Sequence, residues 1–116
     1  MQNELPERLL NFAVEVIKLG IHLNKNATGR YINGQLIRAA TSAGANYEET
    51  CGAESKADFI HKIQIVLKEL RETCYWLKLI QRSKIVPESN LETLVQETRE
   101  LTNIIAKSVL TAKKNR

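Results

Sequence analysis

The stretch FIHKIQIVLKELRETCYWLKLI, residues 59–80, decides the fold. Within it Phe59, Ile63, Val66, Leu70, Thr73, Leu77 and Ile80 recur at alternating steps of four and three. That spacing is the seam of an α-helix packed at near-coiled-coil geometry. A second apolar row, Ile60, Leu67 and Cys74, runs directly beside it. A helix with so wide an apolar surface must be covered by several neighbours, and the flanking segments are built to cover it.

Composition sets the frame. The chain has 116 residues, 43% hydrophobic and 26% charged, which suits a single domain over residues 1–116 with one core. Five glycines, two prolines and 5% aromatic residues disfavour a strand-rich fold. The formal charge of +4 is a modest basic bias, compatible with an acidic partner. Glu4, Glu7 and Arg8 interrupt the only early apolar run, so no signal peptide is expected. No apolar run approaches the ~18 residues of a membrane span. A cytoplasmic protein with reduced thiols at Cys51 and Cys74 is the expectation. The Asn26-Ala27-Thr28 sequon then reads as an accident of sequence.

Outward from the central helix, the pattern predicts three more. A first helix is expected over about Pro6–Leu23, because Pro6 suits a first helical turn. Its seam is Leu9, Ala13, Val16, Gly20 and Leu23, widened by Leu10, Val14 and Ile17. Lys25 to Arg30 reads as a loop. A second helix is expected from Asn33 as N-cap, with Ile32 and Ile37 as a hydrophobic staple. Its inward row is Ile37, Ala40, Gly44, Tyr47 and Cys51, beside Leu36, Ala39 and Ala43. These small side chains predict a close approach to the neighbours, and Gly44 reads as a tight-packing position. Gly52 is a plausible stop. Ser55 and Asp58 form a capping-box pattern that starts the third helix at Lys56, and it runs to about Ser83. A loop through Ile85-Val86-Pro87 leads to Ser89 or Asn90 as cap of a fourth helix, ending near Lys113. That helix has the seam Leu91, Val95, Thr98, Leu101 or Thr102, Ile105, Val109 and Ala112, and Lys113 to Arg116 should fray. Short connections make the whole an all-α, up-down-up-down antiparallel four-helix bundle.

Catalysis requires polar groups converging in a pocket, and the pattern offers none. In this topology His22 and His61 lie at opposite ends of the bundle. Asp58 and His61 read as a solvated helix start rather than half of a metal site. Cys51 and Cys74 are separated by about 27 Å along the axis, too far for a disulfide, and both read as small core residues. Glu48, Glu49, Glu54 and Asp58 form a solvated acidic corner rather than a divalent-ion site. No cofactor, no metal and no enzymatic activity are expected.

Two features exceed what a lone bundle requires. Ile65, Trp76 and Leu79 extend the apolar arc of the third helix; they are either covered by a neighbouring helix or form a subunit interface. On the opposite face, His61, Gln64, Lys68, Arg71, Tyr75, Lys78 and Arg82 recur at three- and four-residue steps with no acid among them. Such a row is either a solvated face or a stripe for phosphates, with Tyr75 placed to stack on an unpaired base. Lys78, Arg82 and Lys84 share one end of the bundle with Lys18, Lys25 and Arg30, where the positive potential should peak, partly offset by Glu88 and Glu92.

Gln35-Leu36-Ile37-Arg38-Ala39-Ala40-Thr41-Ser42-Ala43-Gly44-Ala45-Asn46-Tyr47-Glu48-Glu49, followed by Ser55-Lys56-Ala57-Asp58-Phe59, resembles the bacterial rRNA intervening-sequence proteins. After the asparagine that family usually has alanine-glutamate-glycine, where this chain has Tyr47-Glu48-Glu49. The resemblance implies a homo-oligomeric, typically pentameric, four-helix bundle, often encoded within insertions in large-subunit rRNA genes. A more distant likeness is to the accessory protein of diversity-generating retroelements, a basic pentameric bundle that works with a reverse transcriptase and RNA. Neither resemblance brings catalytic residues. Within the motif, Arg38, Ser42, Asn46 and Glu49 form a polar row that reads as an inter-helix hydrogen-bond network. The expected function is a non-enzymatic homo-oligomer that binds structured RNA or a nucleoprotein partner through His61, Lys68, Arg71, Tyr75, Lys78 and Arg82. The alternative is a structural or accessory oligomer with a protein partner such as a reverse transcriptase.

Overall fold

Four helices follow one another in the computed structural model, which describes residues 4–87 and 91–115: α1 (Glu4–Leu23), α2 (Ala27–Cys51), α3 (Lys56–Ser83) and α4 (Leu91–Lys114). Each packs on the next in chain order and α4 closes back on α1, the lightest of the four contacts. The result is the expected antiparallel four-helix bundle, 47 × 21 × 20 Å. Arg8 ties the α4–α1 seam, donating from Nε to Glu97 at 3.0 Å and from Nη2 to Glu97 and Glu100 at 2.7 and 3.1 Å.

The central helix is as its pattern predicts. Ser55 Oγ accepts from the Asp58 N–H at 3.0 Å and caps α3. Asp58 reaches back to the N–H of Glu54 at 3.2 Å, one residue earlier than in a simple capping box. That bond, and Lys62 after it, hold the Asp58 carboxyl below its ordinary range. Ile63, Val66, Leu70, Thr73, Leu77 and Ile80 are all buried, while Phe59 is half-buried at the end of the seam. They meet Leu9, Phe12 and Val16 of α1, Leu36 and Ala43 of α2, and Leu101 and Ile105 of α4 in one core. Each large aliphatic side chain there contributes roughly 1.5–3 kcal/mol. Buried threonines satisfy their hydroxyls locally: Thr73 and Thr98 donate to the carbonyls of Glu69 and Leu94, both at 2.7 Å. On α4, Leu101 rather than Thr102 takes the core position, and Leu94 joins the seam. Ser89 and Asn90, the expected caps of α4, lie outside the described residues.

Four expectations are corrected. First, α2 begins at Ala27, not after Asn33. Asn26 is the cap; its Oδ1 accepts from the Gly29 N–H at 2.8 Å, so Thr28 and Gly29 are helical and Ile32 and Ile37 form no staple. Asn33 is a buried mid-helix residue that donates to Asn24 Oδ1 at 3.0 Å and lies against Gly20. Second, Gly44 is not the tight spot: a Cβ there would meet Leu9 at 3.6 Å, an ordinary contact. At Gly20 and Gly29 the corresponding distances are 2.4 and 1.9 Å. Third, Cys51 is exposed rather than in the core, because the buried face of α2 runs through Leu36, Ala39, Ala40, Ala43 and Thr50. Fourth, Leu10, Val14 and Ile17 do not widen a buried seam; with Ile21 they form an exposed apolar stripe along α1. The core side of α1 is filled by Phe12 and Leu19 instead. Among the described residues no helix is long and apolar enough to cross a membrane.

Candidate nucleic-acid interface

The basic row stands on the outward face of α3. His61, Lys68, Arg71, Tyr75 and Arg82 are exposed, and Gln64 and Lys78 are half-exposed. The antiparallel register of α4 adds what α3 alone does not show. Arg71, Tyr75 and Lys78 line a groove of about 400 Å³ together with Cys74 and with Arg99, Thr102 and Asn103 of α4. Three cations, one aromatic ring and two neutral polar side chains therefore converge, without a carboxylate among the lining residues.

Five acids of α3 and α4 are engaged elsewhere. On α3, Glu69 and Glu72 turn towards α2, where Arg38 pairs with both, reaching Glu69 at 3.3 Å. Asp58 pairs with Lys62 at 3.2 Å. On α4, Glu97 and Glu100 are taken by Arg8. Among the described residues, none of Lys68, Arg71, Lys78, Arg82 and Arg99 has an ion-pair partner. In the sequence Arg99 is masked by the apolar seam that dominates α4. Its i, i+3, i+4 spacing with Thr102 and Asn103 is the signal, but only the α3–α4 register gives it meaning.

The polar row of α2 divides in two. Arg38 forms the expected bridge between helices, whereas Asn46 stays within its own helix, donating to the Ser42 carbonyl and Oγ at 2.8 and 2.9 Å. The Arg38 bridge extends further. Glu72 also accepts from Trp76 Nε1 at 3.1 Å, and hydrogen bonds from Arg38 and then Trp76 hold its carboxyl below the usual carboxylate range. The Trp76 ring sits between Tyr31 of α2, at 6.2 Å, and Tyr75, at 5.2 Å, close to perpendicular to both.

Ile65, Trp76 and Leu79 are half-buried, and Trp76 and Leu79 pack against the core. More apolar surface is open on α1, where Leu10 is 58% and Ile21 70% exposed. Beside it, Leu10, Val14 and Ile17 wall a groove of about 350 Å³ whose other side is Thr41, Gly44 and Ala45 of α2. His22 and His61 are both exposed. Among the described residues no three potential ligands gather where a metal ion could be held. Burial, and then Cys51, push the Tyr47 hydroxyl up.

These features define a class: an all-α antiparallel four-helix bundle whose α3–α4 face is cationic. Residues 2–107 match the model of the 23S rRNA-intervening sequence protein family, and the chain belongs to that family. It is also similar to the crystal structure of a protein with unknown function from the S23 ribosomal protein family of Bacteroides thetaiotaomicron. The two are 32% identical, with a TM-score of 0.83 over 90% of this chain and 97% of that one. No curated protein matches the chain.

Proposed function

We propose that this protein is a non-enzymatic homo-oligomer that binds structured RNA through the α3–α4 face. The supporting observation is the set of five cations, Lys68, Arg71, Lys78, Arg82 and Arg99, left without ion-pair partners among the described residues. An unpaired guanidinium or ammonium on a helix face gains most from a phosphate, because binding releases counterions from the RNA. The row from His61 to Arg82 spans about 32 Å at 1.5 Å per residue, enough to follow several phosphates.

Self-association is assigned to the α1 stripe and the groove beside it, with a second copy as occupant. Glu7 and Glu48 stand on opposite lips of that groove. On α4, Ile104 and Leu110 are exposed and are followed, three and four residues on, by Lys107 and Lys114. Apolar anchors flanked by lysines complement an apolar groove with acidic lips. The contact is head-to-tail, so repetition closes into a ring when the rotation permits. A ring repeats the cationic face around the assembly, and weak phosphate contacts then add by avidity.

The triple variant Lys68→Gln, Arg71→Gln, Lys78→Gln tests the RNA reading. Fluorescence anisotropy with a labelled structured RNA should show affinity falling at least about tenfold and the log–log salt slope shrinking by about 2. Helicity and oligomeric state should not change. Equal binding by variant and wild type would remove this face as the site. A wild type that binds no RNA at low salt would transfer the argument to a protein partner.

A further inference from the structure

We propose that Tyr31, Trp76 and Tyr75 form a stacking platform for unpaired bases, so that the α3 face selects single-stranded segments of RNA over duplex. The proposal rests on the RNA reading above and names what that site recognises. Tyr31 and Tyr75 are large rings left 63% and 60% exposed. Each is packed close to perpendicular against the same half-buried indole, at interplanar angles of 81° and 77°. The indole is fixed in turn: Trp76 Nε1 donates to Glu72, which is bound by Arg38. The two outer rings are therefore supported from beneath rather than free to fold onto the surface, and little ordering is needed when a base arrives.

Charge surrounds the platform at the right spacing. Arg71 and Lys78 lie four residues before and three residues after Tyr75, and with Arg99 they share its groove. A strand held there by its phosphates can lay a base on Tyr75 and another on Tyr31. Duplex RNA offers the same phosphates, but its bases are stacked on one another and their faces are closed to side chains. Stacking on exposed aromatic rings is how single strands are held without sequence preference.

The molecule carries its own probe, because Trp76 is its only tryptophan. The test titrates the full chain with 5′-labelled oligoadenylate and with a duplex RNA of equal length, reading anisotropy for affinity and tryptophan emission for contact with the platform. The expected result is tighter binding of the single strand, accompanied by quenching of Trp76. Tyr75→Ala with Tyr31→Ala should lower single-strand affinity by about five- to one-hundredfold for each lost stack. Duplex affinity and salt slope should stay as in the wild type, since every cation remains. The Tyr→Phe pair keeps both ring faces and should restore binding. Equal single-strand affinity in the alanine variant, no preference over duplex, or binding without any change in Trp76 emission would overturn the platform while leaving the cationic face intact. A wild type that binds neither RNA would overturn both readings.

Discussion

Replacing Leu10 and Ile17 together by glutamate is expected to break the proposed homo-oligomer into monomers without reducing helix content. Both side chains are exposed in the single chain, so the substitutions remove nothing from its core. In the assembly they would be covered. Burying such a side chain contributes roughly 1.5–3 kcal/mol, and a glutamate in its place adds an unpaired charge beside Glu7 and Glu48. The dissociation constant should rise by about a thousandfold or more. Sedimentation velocity at micromolar concentration reads the assembly, and far-UV circular dichroism reads the fold. A monomeric wild type, or a variant that assembles normally, would refute the α1 interface. Trp76→Glu makes the contrast. Because Trp76 packs on the core and donates to Glu72, that change should destabilise the monomer itself.

Gly29→Ala should cost about 3 kcal/mol of stability, near the upper end for overpacking. The α1–α2 corner is the reason. A methyl group at Gly29 would stand 1.9 Å from the backbone oxygen of Leu23, which no side-chain rotation can relieve. The corner must open, and opening it strains the Asn26 cap that bonds the Gly29 N–H. Gly34, five residues on, has nothing within 4 Å of an added Cβ and sits exposed in the same helix. There the helix propensity of alanine decides, and Gly34→Ala should stabilise by about 0.5–1 kcal/mol. Chemical denaturation of the two variants should give opposite signs. A neutral Gly29→Ala would mean that the corner is looser than its geometry indicates.

The same corner explains what was legible in the sequence. The start of α3 was, because Ser55 and Asp58 carry the cap within four consecutive residues and the four-three seam begins at once. The start of α2 was not. Asn26 and Asn33 are equally good caps on local grounds, and Thr28-Gly29 looks like a turn. What decides between them is tertiary: Gly29 passes under Leu23, and Asn33 is buried against Gly20. Hydrophobicity likewise marked Leu10, Val14 and Ile17 for burial but could not say against what, and within one chain nothing covers them. The cationic row was legible because it lies on one helix with one period. The groove was not, since Arg99 reaches it only through the register of α4. Nor does Trp76 announce its role. Its surplus apolar area is visible in the sequence, but its neighbours on α2, Arg38 through Glu72 and Tyr31 directly, are set by the register of α2 against α3.

The most direct measurement of the central claim is the salt dependence of RNA binding by the wild-type chain. If Lys68, Arg71, Lys78, Arg82 and Arg99 hold phosphates, four or five counterion-releasing contacts form. The logarithm of the association constant should then fall linearly with the logarithm of salt concentration, at a slope of about −3 for a single strand. A slope near zero, or no binding even at low salt, would contradict the claim that this face is built for RNA.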